Sequence, residues 1–250
     1  MSGPPFIDRL PEEARGILAD AERDGLRVRL LGGIAILLLL GDRFDAAFAR
    51  PYRDIDLFCH RKDGRRLEQL LAARGWAPAS EFNALGGGRR LLFHDPESEA
   101  QVDVFVGEFQ MCHELPLADA LERPGASLPA TDLVMTKLQI VELNAKDRSD
   151  LYALLSGSPL GDGDPAAIEP ARLAEVTSRD WGVHHTFELN LAKLREGIAA
   201  GEGPAAAAAP VDALLAAMEE APKSRGWRMR AKVGERKRWY ELPEEVEREG

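Results

Sequence analysis

Two carboxylates, Asp54 and Asp56, are two positions apart in the strand-like stretch RPYRDIDLF at 50–58. Because alternate side chains of a strand point to opposite faces, both carboxylates face the same way, and Ile55 and Leu57 face the core. Like charges this close repel, and a divalent cation held by hard oxygen ligands relieves that repulsion. The spacing favours a metal site. The alternative is a solvent-facing strand edge that simply carries two exposed acidic side chains.

A third acid, Asp103, lies in the middle of the strand-like stretch AQVDVFVG, between Val102 and Val104. A buried carboxylate costs free energy unless it has a partner. If this strand pairs beside the Asp54 strand, three carboxylates converge. They would be enough to hold two divalent ions about 3.5–4 Å apart for in-line phosphoryl chemistry.

A pair of glycines, Gly32 and Gly33, stands where a predicted strand ends and a helix begins. Backbone N–H groups and the positive end of the helix dipole attract a phosphate there, and glycine has no side chain in its way. The pair predicts a phosphate-binding turn near the acids.

These residues resemble the nucleotidyltransferase superfamily, whose fold is shared with the palm of DNA polymerase beta. The blocks GGIAILLLLG and RPYRDIDL are similar to the Gly-Gly and Arg-x-x-x-Asp-x-Asp pattern of aminoglycoside and lincosamide nucleotidyltransferases. They also resemble the nucleotidyltransferase toxins of abortive-infection systems. In those toxins a Lys-bearing helix and a KD-x-x-D-L helix follow, matched here by Lys137 and by KDRSDL, 146–151. The Ser that often follows the first glycine in the superfamily is Gly33 here.

The resemblance implies an enzyme that transfers a nucleoside monophosphate from an NTP such as ATP to a hydroxyl group and releases pyrophosphate. Asp54 and Asp56 would bind Mg²⁺ carried by the triphosphate. Asp103 would help to hold a second Mg²⁺ and would deprotonate the acceptor hydroxyl. The implied cofactors are two Mg²⁺ ions, with NTP as co-substrate.

The resemblance also implies a set of nucleotide-binding residues. Gly32 and Gly33 would hold phosphate, Lys137 would contact the triphosphate, and Asp147 and Asp150 would position the nucleotide or orient Lys137. From the residues alone, two alternatives stay open. Lys137 could be a lysine that extends from a helix edge to solvent, and Asp150 could pair with Lys146 along its own helix.

The predicted fold is α+β, with a mixed sheet and flanking helices followed by a helical C-terminal region. Predicted strands cover 26–31, 54–59, 89–94 and 101–106, the last two as a hairpin, and predicted helices cover 11–24, 34–44 and 63–74. From Pro129 onward the apolar spacing is helical, and Thr131 is a predicted N-cap. The expected domains are 1–128 for nucleotidyl transfer, a helical domain at 129–200, and a linker with a basic aromatic tail at 201–250.

The composition suits a protein without a membrane span. The chain has 250 residues and a formal net charge of −10, and its longest apolar run, Ile34–Leu40, is too short to cross a bilayer. The N-terminus lacks the basic start and apolar run of a secretory signal. Cys59 and Cys112 are too few for a disulfide framework. We therefore expect a cytoplasmic protein with no membrane partner.

The segment 223–240, the basic tail, holds eight basic residues and one acid, with two tryptophans and a tyrosine among them. This composition suits a nucleic-acid partner, but packing of the tail on the acidic remainder of the chain is the favoured interpretation. The sequence leaves three hypotheses for the function. Nucleotidyl transfer to a small-molecule acceptor is favoured. The second is a toxin-type transferase that modifies RNA or protein, and the third is an inactive nucleotide-binding module. Oligomeric state is open.

Overall fold

The computed structural model describes residues 9–85 and 87–242, and the chain divides into two compact units. Unit 1 comprises Met1–Phe109 and Pro116–Leu133, and unit 2 comprises Gln110–Leu115 and Val134–Gly250. The predicted division at 128 and 200 stays a prediction, and its outer ends, 1–8 and 243–250, lie outside the described residues.

Unit 1 alternates helices and strands, as expected of an α+β fold. Its helices are α1 Leu10–Arg23, α2 Gly32–Leu40, α3 Gly64–Ala73 and α4 Ser80–Leu85. Its main strands are β1 Val28–Leu31, β2 Asp54–Cys59, β3 Ala77–Pro78, β4 Arg90–His94 and β5 Gln101–Val106. Two short strands, β6 Phe109–Gln110 and β7 Glu114–Leu115, form a separate two-stranded sheet, and all of their residues except Phe109 belong to unit 2.

The five main strands form one mixed sheet in the order β1-β2-β5-β4-β3. Strands β2 and β5 are parallel, whereas β1 pairs with β2, β4 with β5, and β3 with β4 in antiparallel fashion. The mixed sheet and the hairpin of β4 and β5 confirm the predicted fold class. The parallel pair requires a crossover connection between β2 and β5, because parallel strands cannot be joined by a tight turn.

One face of the two central strands, β2 and β5, is buried. Ile55 and Leu57 of β2 and Val102 and Val104 of β5 are buried, while the residues between them at 54, 56, 101 and 103 are half-buried. The start of α3 covers the buried face, since a Cβ on Gly64 would lie 2.6 Å from Val106 Cγ1. The alternation of valine and isoleucine with acids therefore places the acids on the accessible face.

Unit 2 is helical. It contains most of α5 Ala130–Leu138, whose first residues belong to unit 1, together with α6 Ala145–Gly157, α7 Pro170–Thr177, α8 Trp181–Ala199, α9 Ala208–Glu220 and α10 Arg225–Val233. Its core is formed by apolar side chains that are nearly inaccessible to solvent, among them Leu154, Leu173, Phe187, Leu191 and Leu214.

Two local predictions in this region are wrong. Helix α5 already begins at Ala130 and ends at Leu138, so Thr131 lies inside the helix and is not its N-cap. The expected linker GEGPAAAAAP contains a 3-10 helix at Ala205–Ala207 and the start of α9. The alanine-rich stretch is helical because alanine has a high helix propensity and because Ala207 and Val211 are buried.

None of the helices in the described ranges is both long enough and apolar enough to cross a lipid bilayer.

Candidate active site

The three predicted metal ligands lie on neighbouring strands of unit 1 and on one face of the sheet. In the parallel pairing of β2 with β5, Asp56 lies directly opposite Asp103 and Asp54 lies opposite Gln101. All three carboxylates are half-buried. The predicted convergence of the two strands is therefore confirmed, whereas the catalytic roles of the three residues stay predictions.

The glycine pair lies beside these acids. Leu31, the last residue of β1, is opposite Asp56, and α2 begins at the next residue, Gly32. Gly32 has φ of +71°, and a Cβ at this position would overlap Asp56 Oδ2. Only glycine combines this backbone conformation with so close an approach to the carboxylate. The N-terminal turn of α2 is therefore packed directly against an acid of the sheet.

Arg50 and Tyr52 lie over the second glycine. A Cβ on Gly33 would lie 2.5 Å from Arg50 Nη2 and 2.8 Å from Tyr52 Cε1, and the guanidinium carbon is 4.9 Å from the tyrosine ring centroid. Arg50 thus adds a positive charge at the start of α2. The sequence motif contains Arg50 as its first residue, but the sequence alone does not show that its side chain meets the glycine turn.

Arg90 of β4 binds the third acid. Its Nε donates to both oxygens of Asp103 at 3.0 and 3.1 Å, and its Nη2 donates to Oδ2 at 2.5 Å. The guanidinium also lies 5.6 Å from the ring centroid of Phe82 and 5.2 Å from that of Phe105. Sequence reasoning missed Arg90. The available signal was that a half-buried acid needs a partner, and the predicted hairpin places Arg90 on the adjacent strand.

Magnesium fits this site through Asp54 and Asp56. Two carboxylates on one face offer the hard oxygen ligands that Mg²⁺ prefers, and Mg²⁺ commonly takes its other ligands from water and substrate phosphates. Residues 9–85 and 87–242 contain no group of three or more His, Cys, Asp or Glu side chains gathered closely enough to hold a metal ion. Asp103 is engaged by Arg90 in this structure, and its role as a metal ligand stays a prediction.

The remaining predicted residues form a buried cluster in unit 2. Lys137 Nζ of α5 lies 3.0 Å from Asp147 Oδ1 and 2.9 Å from Asp150 Oδ2, both of α6. Asn144 caps α6, because its side chain accepts a hydrogen bond from the Asp147 backbone N–H at 3.0 Å. Burial alone would lower the pKa of Lys137, but Asp150 and Asp147 raise it above its ordinary value.

The contacts of Lys137 decide whether its side chain extends to solvent or is held inside the protein. The side chain is buried between two acids, so Lys137 is not a lysine extended to solvent from a helix edge. The predicted orientation of Lys137 by Asp147 and Asp150 has the required geometry. A contact from Lys137 to a triphosphate stays a prediction.

The basic tail packs on unit 2, as favoured from the sequence. Ser224 caps α10 by accepting a hydrogen bond from Trp227 N, Trp239 Nε1 donates to Thr186 Oγ1 at 3.0 Å, and Glu241 N donates to the Cys112 carbonyl at 2.9 Å. Arg230 lies 4.7 Å from the Trp181 ring centroid. The aromatic rings of the tail are engaged with each other and with α8, whereas most of its cations are exposed.

Comparison with models of known protein families gives no match, and comparison with curated protein sequences gives none either. Among solved structures, the fold is similar to that of an antigenic nucleotidyltransferase-like protein from Paracoccidioides brasiliensis. The two chains are 14% identical, the alignment covers 87% of this chain and 95% of the other, and the TM-score is 0.45.

Proposed function

We propose that this protein is a Mg²⁺-dependent nucleotidyltransferase that moves a nucleoside monophosphate from an NTP to a hydroxyl of a small-molecule acceptor. The observation that carries the proposal is the packing of the Gly32 turn against Asp56, with Asp54 on the same face of the sheet. A sheet face with acids and a glycine turn at a helix N-terminus suits a substrate that is both phosphorylated and metal-bound.

The residues of the chain would share the work as follows. Backbone N–H groups at Gly32 and Gly33 hold a phosphate at the start of α2, and Arg50 adds a positive charge beside Gly33. Asp54 and Asp56 hold Mg²⁺, which neutralises charge on the triphosphate when bound. The acceptor oxygen forms a bond to the α-phosphorus, the bond from that phosphorus to the β-phosphate oxygen breaks, and pyrophosphate leaves. The acceptor proton passes to a nearby base or to water.

The first test measures transfer itself. Purified protein is incubated with Mg²⁺ and each of the labelled NTPs, together with a panel of hydroxylated, cationic small molecules, and pyrophosphate release is followed. Asp54→Asn/Asp56→Asn should lose Mg²⁺-dependent NTP binding and any turnover. Asp42→Asn, which changes an exposed acid, is the matched control and should behave as wild type. Failure of the wild-type protein to bind any NTP at any Mg²⁺ concentration would refute the proposal.

A second candidate, transfer to RNA, is favoured by one observation on α10. Arg225, Arg228 and Lys232 are exposed on this helix, and Arg236, Lys237 and Arg238 are exposed just after it. Because the tryptophans of the tail are packed internally, this surface could contact phosphates but offers few rings for base stacking. Binding through it should be strongly salt-dependent and largely independent of sequence.

Charge reversal on α10 distinguishes the two acceptors. Arg228→Glu/Lys232→Glu should weaken RNA binding and reduce the salt slope of the affinity by about 1.4, as expected for two lost single-strand phosphate contacts. Lys62→Glu/Arg65→Glu changes the charge of unit 1 by the same amount at exposed positions and is the control. RNA affinity that is equal in the two double variants would exclude α10 as the RNA surface and leave the small-molecule acceptor favoured.

A further inference from the structure

We propose that Arg90 is a positioning residue that permanently occupies the third carboxylate, so that the site gathers one divalent ion, through Asp54 and Asp56, and not two. This inference rests on the proposed function and specifies its metal content. It departs from the two-ion arrangement that the resemblance implies, and it is drawn from the contacts of Arg90 alone.

Arg90 donates to both oxygens of Asp103 through three N–H···O contacts of 2.5–3.1 Å. A bidentate guanidinium and a carboxylate form one of the strongest pairings available to side chains, because the planar fork matches the two oxygens. A second ion at Asp103 would have to displace this pair or share the oxygens with it.

Arg90 is held by its surroundings as well as by Asp103. Its guanidinium lies near the rings of Phe82 from α4 and of Phe105, its cross-strand neighbour on β5. Only 22% of the Arg90 side chain and 13% of the Asp103 side chain are exposed. Two rings and a carboxylate therefore restrain the guanidinium, and swinging it into solvent would break all of these contacts.

Arg90 also places a positive charge next to Asp103. A second dication at Asp103 would lie next to a fixed positive charge, and repulsion between like charges is strong where water is partly excluded. Arg90 already neutralises one of the three carboxylates. Its guanidinium thus supplies at Asp103 the positive charge that a second ion would otherwise supply, and Asp103 acts as a fixed anchor of Arg90.

The test counts ions. Full-length protein saturated with a non-hydrolysable NTP analogue is dialysed to equilibrium against Mn²⁺ and the analogue. The excess of Mn²⁺ on the protein side then gives the ions bound per chain. Wild type should bind one Mn²⁺. Arg90→Gln, which frees the Asp103 oxygens, should bind two, the second more weakly. Arg89→Gln is the control, because Arg89 is an exposed neighbour of Arg90 that lies 3.8 Å from Glu108, and this variant should bind one ion.

Each outcome decides between the two proposals. Two ions on wild-type protein would overturn the role of Arg90 and leave nucleotidyl transfer standing. One ion on a folded Arg90→Gln variant, checked by circular dichroism, would also overturn it. No Mn²⁺ on wild type with any of the four NTP analogues would instead overturn the proposed function, and the inference with it.

Discussion

At the scale of single residues, the close approach of Gly32 to Asp56 is the sharpest feature of the candidate site. Gly32 combines a φ of +71° with a position where any Cβ would overlap the Asp56 carboxylate. Gly41 has a similar φ of +51°, but an added Cβ there would have no atom within 4 Å. An alanine at Gly41 would therefore cause backbone strain alone, whereas an alanine at Gly32 would also overlap the Asp56 carboxylate.

We expect Gly32→Ala to lose about 100-fold in kcat/KM for nucleotidyl transfer, because a displacement of about 1 Å at a reacting centre costs that much. Gly41→Ala should cost only the strain of a backbone conformation that suits glycine, roughly 1–3 kcal/mol in stability, and leave transfer unchanged. Steady-state kinetics and thermal unfolding of both variants make the comparison. Equal transfer rates in the two variants would contradict a site at Asp56.

At the scale of elements, the pairing of α5 with α6 depends on the buried Lys137 cluster. Asp147 and Asp150 are three positions apart and so lie on one side of α6, where both contact Lys137. Removing the Lys137 amine leaves two buried carboxylates without its positive charge, whereas removing one carboxylate leaves Lys137 paired with the other.

Lys137→Met should therefore lower the free energy of unfolding by about 3–5 kcal/mol, the usual cost of stranding a buried charge. Asp147→Asn should cost clearly less, because Lys137 keeps Asp150. Lys193→Met, an exposed position on α8, is the control and should change stability by less than about 0.5 kcal/mol. Urea unfolding followed by circular dichroism measures all three. A milder effect of Lys137→Met than of Asp147→Asn would show that the cluster is not held by charge balance.

At the scale of the whole chain, stability should depend on two buried histidines of unit 2. Burial lowers the pKa of His113 to about 4, although Asp180 opposes the shift, and burial lowers the pKa of His184 to about 4, with Lys223 and His185 adding to it. His113 Nε2 lies 2.8 Å from Thr186 Oγ1, which also accepts from Trp239, so the imidazole is part of the packing of the tail. Both residues are therefore neutral in the folded protein near pH 7.

A lowered pKa in the folded state means that the unfolded chain takes up protons first. The stability contribution of each histidine is fully present above the unfolded pKa of 6.5 and is lost as pH falls toward 4. Between pH 7 and pH 5 we expect a loss of roughly 2 kcal/mol for each histidine. His184→Gln should halve the pH dependence of the unfolding free energy over this range. An unchanged pH dependence of the unfolding free energy would show that protonation of His184 does not contribute to the loss of stability.

The sequence predicted most of the elements that carry the site. Strand β2 has the predicted bounds, Asp54–Cys59, and β5 the predicted bounds, Gln101–Val106, because alternation of acids with Val, Ile and Leu has only one way to bury its apolar half. The helical turn in the alanine-rich stretch at the start of α9 was not predicted, because Gly and Pro bracket this stretch and suggest a linker even though alanine has the highest helix propensity.

What the sequence by itself determined is which side chains share a face: two-residue spacing puts Asp54 with Asp56, and three-residue spacing on a helix puts Asp147 with Asp150. What only the tertiary structure decided is which charge meets which. Asp103 pairs with Arg90 across a hairpin, and Lys137 inserts between two acids of the next helix. Such partners depend on strand register and helix packing, which bring together residues whose spacing in the chain carries no signal.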